Sequence, residues 1–186
     1  FGFHYIWSRP SLLALQIVFL TGNFFVGIPG AVQAAMILAN TSSNAKTLAL
    51  VNTAGAVGGV IGGLVMSAWG GPKRRLRVVI IFMILLGLFS ALIGLRASVG
   101  FIAVSGFLAT LCVPILSSSN QVIWQKKVAP DVQGRVFAMR RTITLATPLL
   151  TYVIAGPLAD HVFEPMMTIN GPLAGSLGQI IGMGPG

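Results

Sequence analysis

The sequence predicts an all-α polytopic membrane protein with five transmembrane helices, and its composition and charge distribution carry that prediction. Of its 186 residues, 55% are apolar and only 8% are charged, and the mean hydropathy is +0.88. Soluble domains carry roughly 25% charged residues, so this deficit indicates a chain surrounded by lipid. The charges that are present lie in short clusters between long uncharged runs.

Five uncharged runs are long enough to cross a bilayer, which takes about 20 mostly apolar residues in a helix. None of them alternates between apolar and polar residues as barrel strands do. Helices satisfy their own backbone hydrogen bonds in lipid, so we assign all five runs as helices. We place the spans at about residues 12–38, 48–69, 78–95, 98–123 and 142–162, in a bundle that covers residues 11–163.

Residues 1–10 are predicted to form a lead-in helix at the membrane surface. Aromatic side chains at positions 1, 3, 5 and 7 precede Arg9, and rings beside a cation suit the headgroup zone. Pro10 is well placed to begin the first span, because proline is tolerated in the first turn of a helix. The third span is dense in Ile, Leu, Val and Phe and is expected to face lipid. Residues 164–186 are rich in Gly and Pro and are expected to form an extracytoplasmic loop.

The basic residues predict the orientation, because loops rich in Lys and Arg stay in the cytoplasm. Alternate connections place ten of the twelve cations on one side, which we therefore assign to the cytoplasm together with the N-terminus. The ten are Arg9, Lys73, Arg74, Arg75, Arg77, Lys126, Lys127, Arg135, Arg140 and Arg141, and the other two are Lys46 and Arg96. Five spans with an outside C-terminus lead us to expect a sixth span that this sequence lacks.

The second span contains small residues at regular spacing. Gly55, Gly59 and Gly63 recur every four residues, as do Gly58 and Gly62. Such spacing permits close approach of another helix, and we assign Gly55, Gly59 and Gly63 to helix packing. Sliding of the same smooth face during transport is a compatible interpretation. The run "GGP" that follows predicts a helix break and a short turn.

Polar residues within the spans form the candidate site, because each must find a partner or line water. Taken together, polar groups in four of the five spans suggest a shared hydrated cavity, whereas hydrogen bonding between helices is the alternative for any single residue. The substrate-cavity candidates are Gln16, Asn23, Asn52, Thr53, Ser118, Asn120, Gln121, Thr147 and Thr151.

Several function classes find no support in the sequence. The chain has no metalloprotease motif, phosphate-binding loop, dinucleotide fingerprint or Cys/His cluster, and its one cysteine, Cys112, lies in an apolar run. We therefore predict no enzymatic activity, no cofactor and no metal site. The net charge of +9 comes without the interleaved aromatic residues that stack on bases, so no nucleic-acid partner is expected.

Four stretches resemble the C-terminal half of major facilitator superfamily transporters, in the efflux branch of enterobactin-exporter-like and macrolide-efflux-like proteins. They are "GFHYIWSRP", "GGLVMSAWGGPKRR", "VAPDVQGRVFAMRR" and "GPLADHVFEP". The second is similar to the superfamily's cytoplasmic loop motif, except that Ser67 stands where the motif has Asp. That departure argues against a charge-relay role for this loop. The loop-motif positions are Gly63, Ser67, Gly70, Lys73, Arg74, Arg75, Asp131, Gly134 and Arg135.

The resemblance implies alternating access between two six-helix bundles, of which this chain would supply most of one. It also implies outward movement of amphipathic small molecules across a cell inner membrane. The expected partners are the lipid bilayer, a small-molecule substrate, and the N-terminal half of the same transporter or other membrane subunits. The alternative is an orphaned half-transporter that serves as a scaffold subunit in a larger membrane complex.

Overall fold

The computed structural model describes residues 2–41, 43–95 and 98–166. Within those ranges the chain is all-α and contains no strand, as predicted. The helices are α1 (Gly2–Trp7), α2 (Pro10–Asn40), α3 (Ala45–Trp69), α4 (Arg75–Ile93), α5 (Val99–Lys127), α6 (Gln133–Leu158) and α7 (Glu164–Met166). A 3₁₀ turn, Pro130–Val132, precedes α6, and a π-helical turn, Ala159–Phe163, follows it.

Five helices, α2 to α6, are long and apolar enough to cross a membrane, which confirms the predicted number. Most of the residues predicted to form the extracytoplasmic loop, together with Phe1 and Arg96, lie outside the described residues. Helix α6 begins at Gln133, well before the span predicted from residue 142. The predicted span starts later because the cations in the first turns of this helix favour a loop in the sequence.

Helix α5 is the centre of the bundle, where it packs against both α3 and α4, while α2 packs against α6. Helix α5 contributes eleven buried residues, more than any other helix. Helix α4 buries only Val79 and exposes Ile80, Ile84 and Leu88 along its other face. Such an apolar face suits contact with lipid, which agrees with the expectation for the third span.

The closest approach between helices occurs where α3 meets α5. A Cβ added to Gly58 would overlap the carbonyl oxygen of Phe107, and one added to Gly62 would overlap that of Leu111. By contrast, a Cβ at Gly59 or Gly63 would have nothing within 4 Å. The packing stripe is therefore Gly58 and Gly62, and the predicted assignment of Gly59 and Gly63 to this contact is corrected.

Gly55, the remaining member of the predicted packing stripe, does lie at the α3–α5 contact. A Cβ there would be 3.6 Å from Thr110 Cγ2. The Thr110 hydroxyl donates to the Gly55 carbonyl oxygen at 2.6 Å. This hydrogen bond joins the two helices directly, as small residues and hydroxyls commonly do in membrane bundles.

The turn between α3 and α4 forms as the "GGP" sequence predicts. Gly70 caps α3 with φ of 68° and its N–H donates to the Met66 carbonyl, while Gly71 has φ of 89°. Positive φ is inexpensive only for glycine. At the opposite end of α3, the Asn44 side chain accepts hydrogen bonds from two backbone N–H groups of the first turn.

The lead-in helix α1 is confirmed as a helix and docks against the start of α6. A Cβ at Gly2 would lie 2.9 Å from the Arg135 carbonyl oxygen, and Ile6 is buried in an apolar cluster. Phe3 and Trp7 stack on each other at 5.6 Å and remain more than half exposed. The buried cluster consists of Ile6, Leu12, Leu15, Trp124, Val128 and Val136.

Candidate functional site

Two neighbouring cavities lie between the long helices. The larger, about 470 Å³, lies among α2, α3, α4 and α5, and we call it the proline cavity because Pro29 and Pro114 line it. The smaller, about 350 Å³, lies among α2, α4, α5 and α6, and we call it the arginine cavity after Arg140. Both are lined by Val26, Leu86 and Val113, so they adjoin at these three apolar side chains.

The two prolines that line the larger cavity lie inside continuous helices. Pro29 lies within α2 and Pro114 within α5, and each lacks the N–H that would bond to the carbonyl four residues earlier. Such uncommitted carbonyls are tolerated at membrane depth where they are buried in protein or face a water-filled cavity. The polar side chains of this lining are Gln33, Asn52, Ser90 and Thr110.

The arginine cavity has the denser set of polar groups. Arg140 Nη1 donates a hydrogen bond to Gln121 Oε1 at 2.8 Å. The guanidinium carbon lies 4.9 Å from the ring centroid of Trp124, within the range of a cation–π contact. The remaining polar lining residues are Gln16, Asn23, Ser117, Asn120 and Thr144.

Asn120 is the most deeply buried of these polar residues. It is 3% exposed, and within the described chain its Oδ1 has no hydrogen-bond partner. The neighbouring hydroxyl of Ser119 is also buried and equally unpaired in that part of the chain. A buried polar atom without a partner costs about 1–3 kcal/mol, so each of these atoms calls for an explanation.

The structure brings four of the nine cavity candidates to the arginine cavity, namely Gln16, Asn23, Asn120 and Gln121. Asn52 lines the proline cavity instead. The predicted single cavity is therefore two adjoining ones in the structure. Asn23 also donates from Nδ2 to the carbonyl of its own helix, at Phe19 and 2.8 Å.

Thr53, Ser118, Thr147 and Thr151 line neither cavity. Thr147 and Thr151 are buried, and each hydroxyl donates to the carbonyl four residues earlier in α6. A Cβ on Gly27 would lie 2.9 Å from Thr151 Cγ2, so this threonine packs α6 against α2. Their four-residue spacing thus reflects local hydrogen bonding and helix contact.

Arg140 is the charged site residue that is absent from the predicted candidates, because its charge predicts a cytoplasmic loop. The uncharged polar lining residues absent from them are Gln33, Ser90, Thr110, Ser117 and Thr144. Arg140 lies seven residues beyond the start of α6 at Gln133, about 10 Å along the helix at 1.5 Å per residue. One sequence feature pointed to this placement: Pro130 and Asp131 form a good helix start. A helix that begins there carries Arg140 inside the bundle.

The loop-motif residues lie away from both cavities. Ser67, Gly70, Lys73, Arg74, Asp131, Gly134 and Arg135 are exposed, and Gly63 and Arg75 are half-buried. The Arg75 guanidinium lies near Gly71, where an added Cβ would be 3.4 Å from Nη1. The glycine at position 70 caps α3, and the backbone of Arg135 lies against Gly2 of α1.

The α5–α6 turn is held by side chains on both sides. Gln133 Nε2 donates to the carbonyl oxygens of Gln125 and Val128, each at 3.0 Å. The Ala129 N–H donates to Tyr5 Oη at 3.4 Å, which ties α1 to the turn. In the described part of the chain, no group of three or more His, Cys, Asp or Glu side chains could hold a metal ion.

Comparison with known proteins finds limited similarity to two efflux proteins. The macrolide efflux protein A of Enterococcus faecalis is 30% identical over 97 residues, which is 50% of this chain and 30% of that protein. The macrolide efflux protein A of Streptococcus pyogenes is 28% identical over 110 residues, or 58% of this chain and 27% of that protein. The chain thus covers less than a third of either relative. No protein-family model and no solved structure matches the chain.

Proposed function

We propose that this chain is part of an efflux transporter of the major facilitator type that moves amphipathic small molecules out of the cell. The observation that carries the proposal is the pair of adjoining cavities, where polar side chains from five helices meet apolar ones. Amphipathic ligands need both kinds of surface. The similarity to two proteins named for macrolide efflux supports the same activity.

In this proposal the five long helices belong to one six-helix bundle, and the remainder of the transporter supplies the other cavity wall. Alternating access then proceeds by rocking of the two bundles about the central site. A scaffold subunit, the alternative from the sequence, would have no use for a polar cavity within its helices. We place the protein in the cell inner membrane with α1 on the cytoplasmic side, on the strength of its basic loops.

Export by cells that produce the full-length protein tests this proposal. A macrolide is the first compound to measure, because both relatives carry that name. Changing Asn120→Leu removes a buried polar group from the arginine cavity and is expected to lower export several-fold at equal protein level. Thr53→Ala alters a predicted site residue that lines neither cavity, and it serves as the matched control.

The two variants also set the refuting results. Equal export by the Asn120→Leu variant and the unaltered protein, across a panel of amphipathic compounds, would remove the arginine cavity from the transport path. Export of no compound by the unaltered protein would count against transport itself. Membrane insertion of both variants is checked first, so that a folding defect is not scored as lost transport.

A further inference from the structure

The guanidinium of Arg140 lies half-buried beside the arginine cavity without a carboxylate partner in the described chain. Its contacts there are the neutral amide of Gln121 and the ring of Trp124. The whole sequence contains three carboxylate side chains: Asp131, Asp160 and Glu164. Asp131 and Asp160 do not line the arginine cavity, and both are exposed near the two ends of α6.

A cation in this position is costly unless something offsets its lost hydration. Moving an ion out of water costs several kcal/mol even after the protein relaxes, and charged residues in membrane spans usually face water or each other. The hydrogen bond to Gln121 uses one of the five N–H donors of the guanidinium. The remaining donors suit an oxyanion, which arginine binds through two parallel hydrogen bonds.

Asn120 supplies an independent indication that a ligand binds here. It lines the same cavity, it is 3% exposed, and its Oδ1 lacks a donor within the described chain. A ligand N–H or O–H group would satisfy that oxygen. The lining also contains six apolar side chains, Phe19, Val26, Met83, Leu86, Val113 and Leu116.

We propose that the arginine cavity is an oxyanion subsite, in which Arg140 pairs with a carboxylate, sulfonate or phosphate of an amphipathic molecule. Asn120 accepts a hydrogen bond from a donor on the same molecule. This inference rests on the proposed transport function for its biological role, but binding at the site can be measured without transport. The same oxyanion chemistry is available from a small acidic substrate or from the phosphate of a lipid headgroup.

Three dansyl probes that share one apolar fluorophore separate charge from hydrophobicity. Dansylglycine carries a carboxylate next to an N–H donor, dansylamide is neutral, and dansylcadaverine carries an amine. Binding is followed by dansyl fluorescence with the full-length protein in nanodiscs of phosphatidylcholine, which has no net charge. A second set of nanodiscs contains phosphatidylglycerol, so that competition from an anionic headgroup identifies the lipid source.

The variants are chosen to remove the charge, to keep it, or to remove its neighbour. Arg140→Gln is expected to weaken dansylglycine binding by about tenfold or more, as loss of a charge-assisted hydrogen bond implies, with dansylamide affected less than twofold. Arg140→Lys retains most of the preference. Arg141→Gln removes an adjacent but exposed charge and leaves all three affinities unchanged.

A variant of Asn120 gives a second route to the same answer. Asn120→Asp places a carboxylate in the lining of the arginine cavity and is expected to reduce dansylglycine binding while dansylamide still binds. Competition by phosphatidylglycerol in the unaltered protein, but not in Arg140→Gln, would assign the oxyanion to a lipid headgroup. Absence of that competition, with dansylglycine still preferred, would assign it to a small acidic molecule.

The inference is overturned if Arg140→Gln binds dansylglycine as tightly as the unaltered protein, or if dansylcadaverine binds most tightly. Equal loss of all three probes in both Arg140 variants would also overturn it, because that result indicates a structural role. Retained probe preference with no export of any compound would refute the transport proposal and leave the subsite intact. Export of a compound without any preference among the three probes would refute the oxyanion subsite and leave the transport proposal intact.

Discussion

Replacing Gly58 by alanine should separate α3 from α5, since the added methyl group has nowhere to go. A Cβ at this position would overlap the Phe107 carbonyl oxygen and lie 2.6 Å from the Thr110 hydroxyl oxygen. The first neighbour is backbone, so it cannot rotate away. The two helices must therefore move apart by about 1 Å to restore ordinary van der Waals contact near 3.5 Å.

The expected cost follows from three contributions. Overpacking of a close contact typically destabilises by about 1–3 kcal/mol. Separation also stretches the hydrogen bond from Thr110 to the Gly55 carbonyl, 2.6 Å long, and such bonds between membrane helices contribute about 0.6 kcal/mol. Alanine regains about 1 kcal/mol of helix propensity over glycine. The net destabilisation of Gly58→Ala is thus about 0.6–2.6 kcal/mol.

Gly59→Ala is the matched control for this experiment. It makes the same chemical change one residue along, where nothing lies within 4 Å of the added methyl group, so it should be neutral or stabilising by up to about 1 kcal/mol. Both free energies of unfolding are measured by titrating the detergent-solubilised full-length protein with a denaturing detergent. Equal effects of the two substitutions, or a reversed order, would refute the assignment of Gly58 to the contact stripe.

Two further predictions concern stability and orientation. Trp124→Ala should lower the free energy of unfolding by about 3–5 kcal/mol, because Trp124 is a large side chain that is 0% exposed. Trp69 is 53% exposed, so Trp69→Ala should cost far less in the same titration. Comparable losses in the two variants would contradict the packing. The orientation is tested in a Cys112→Ser background, which removes the one cysteine of the sequence. A membrane-impermeant maleimide added to intact cells should label a Lys46→Cys variant but not a Lys73→Cys variant. The opposite labelling pattern would invert the proposed topology.

The five spans could be predicted because lipid imposes a simple rule, which is that a long uncharged run must become a helix. The turn after α3 could also be predicted, since Gly70 and Gly71 adopt the positive φ that glycine permits. Such features depend on the local sequence alone. They need no knowledge of which helix lies next to which.

The phase of the glycine stripe could not be read in that way. Gly55, Gly59 and Gly63 and the pair Gly58 and Gly62 are interleaved on one helix with the same spacing. The choice between them is made by α5, whose backbone at Phe107 and Leu111 fills the space beside one stripe. The partner's position is a tertiary property, so the sequence of α3 alone leaves it undetermined.

The candidate site was predicted in part, and the shortfall also has a physical cause. Polar residues such as Gln16 and Asn120 were identified because polar groups in a span need partners. Thr147 and Thr151 satisfy that need within their own helix, which residue type does not reveal. For Arg140 the sequence predicts a loop position, because a charge alone does not show whether a helix carries it into the bundle.

Trp124 links the packing of one end of the bundle to the charge in the cavity. Its ring is completely buried in the apolar cluster that includes Ile6 of the lead-in helix, and it also lies against the guanidinium of Arg140. A ring fixed by close packing holds the cation at low entropic cost, as a preorganised binding group requires. The docking of α1 and the position of the Arg140 guanidinium therefore both depend on the Trp124 side chain. Disturbing the docking of α1 should also displace Arg140.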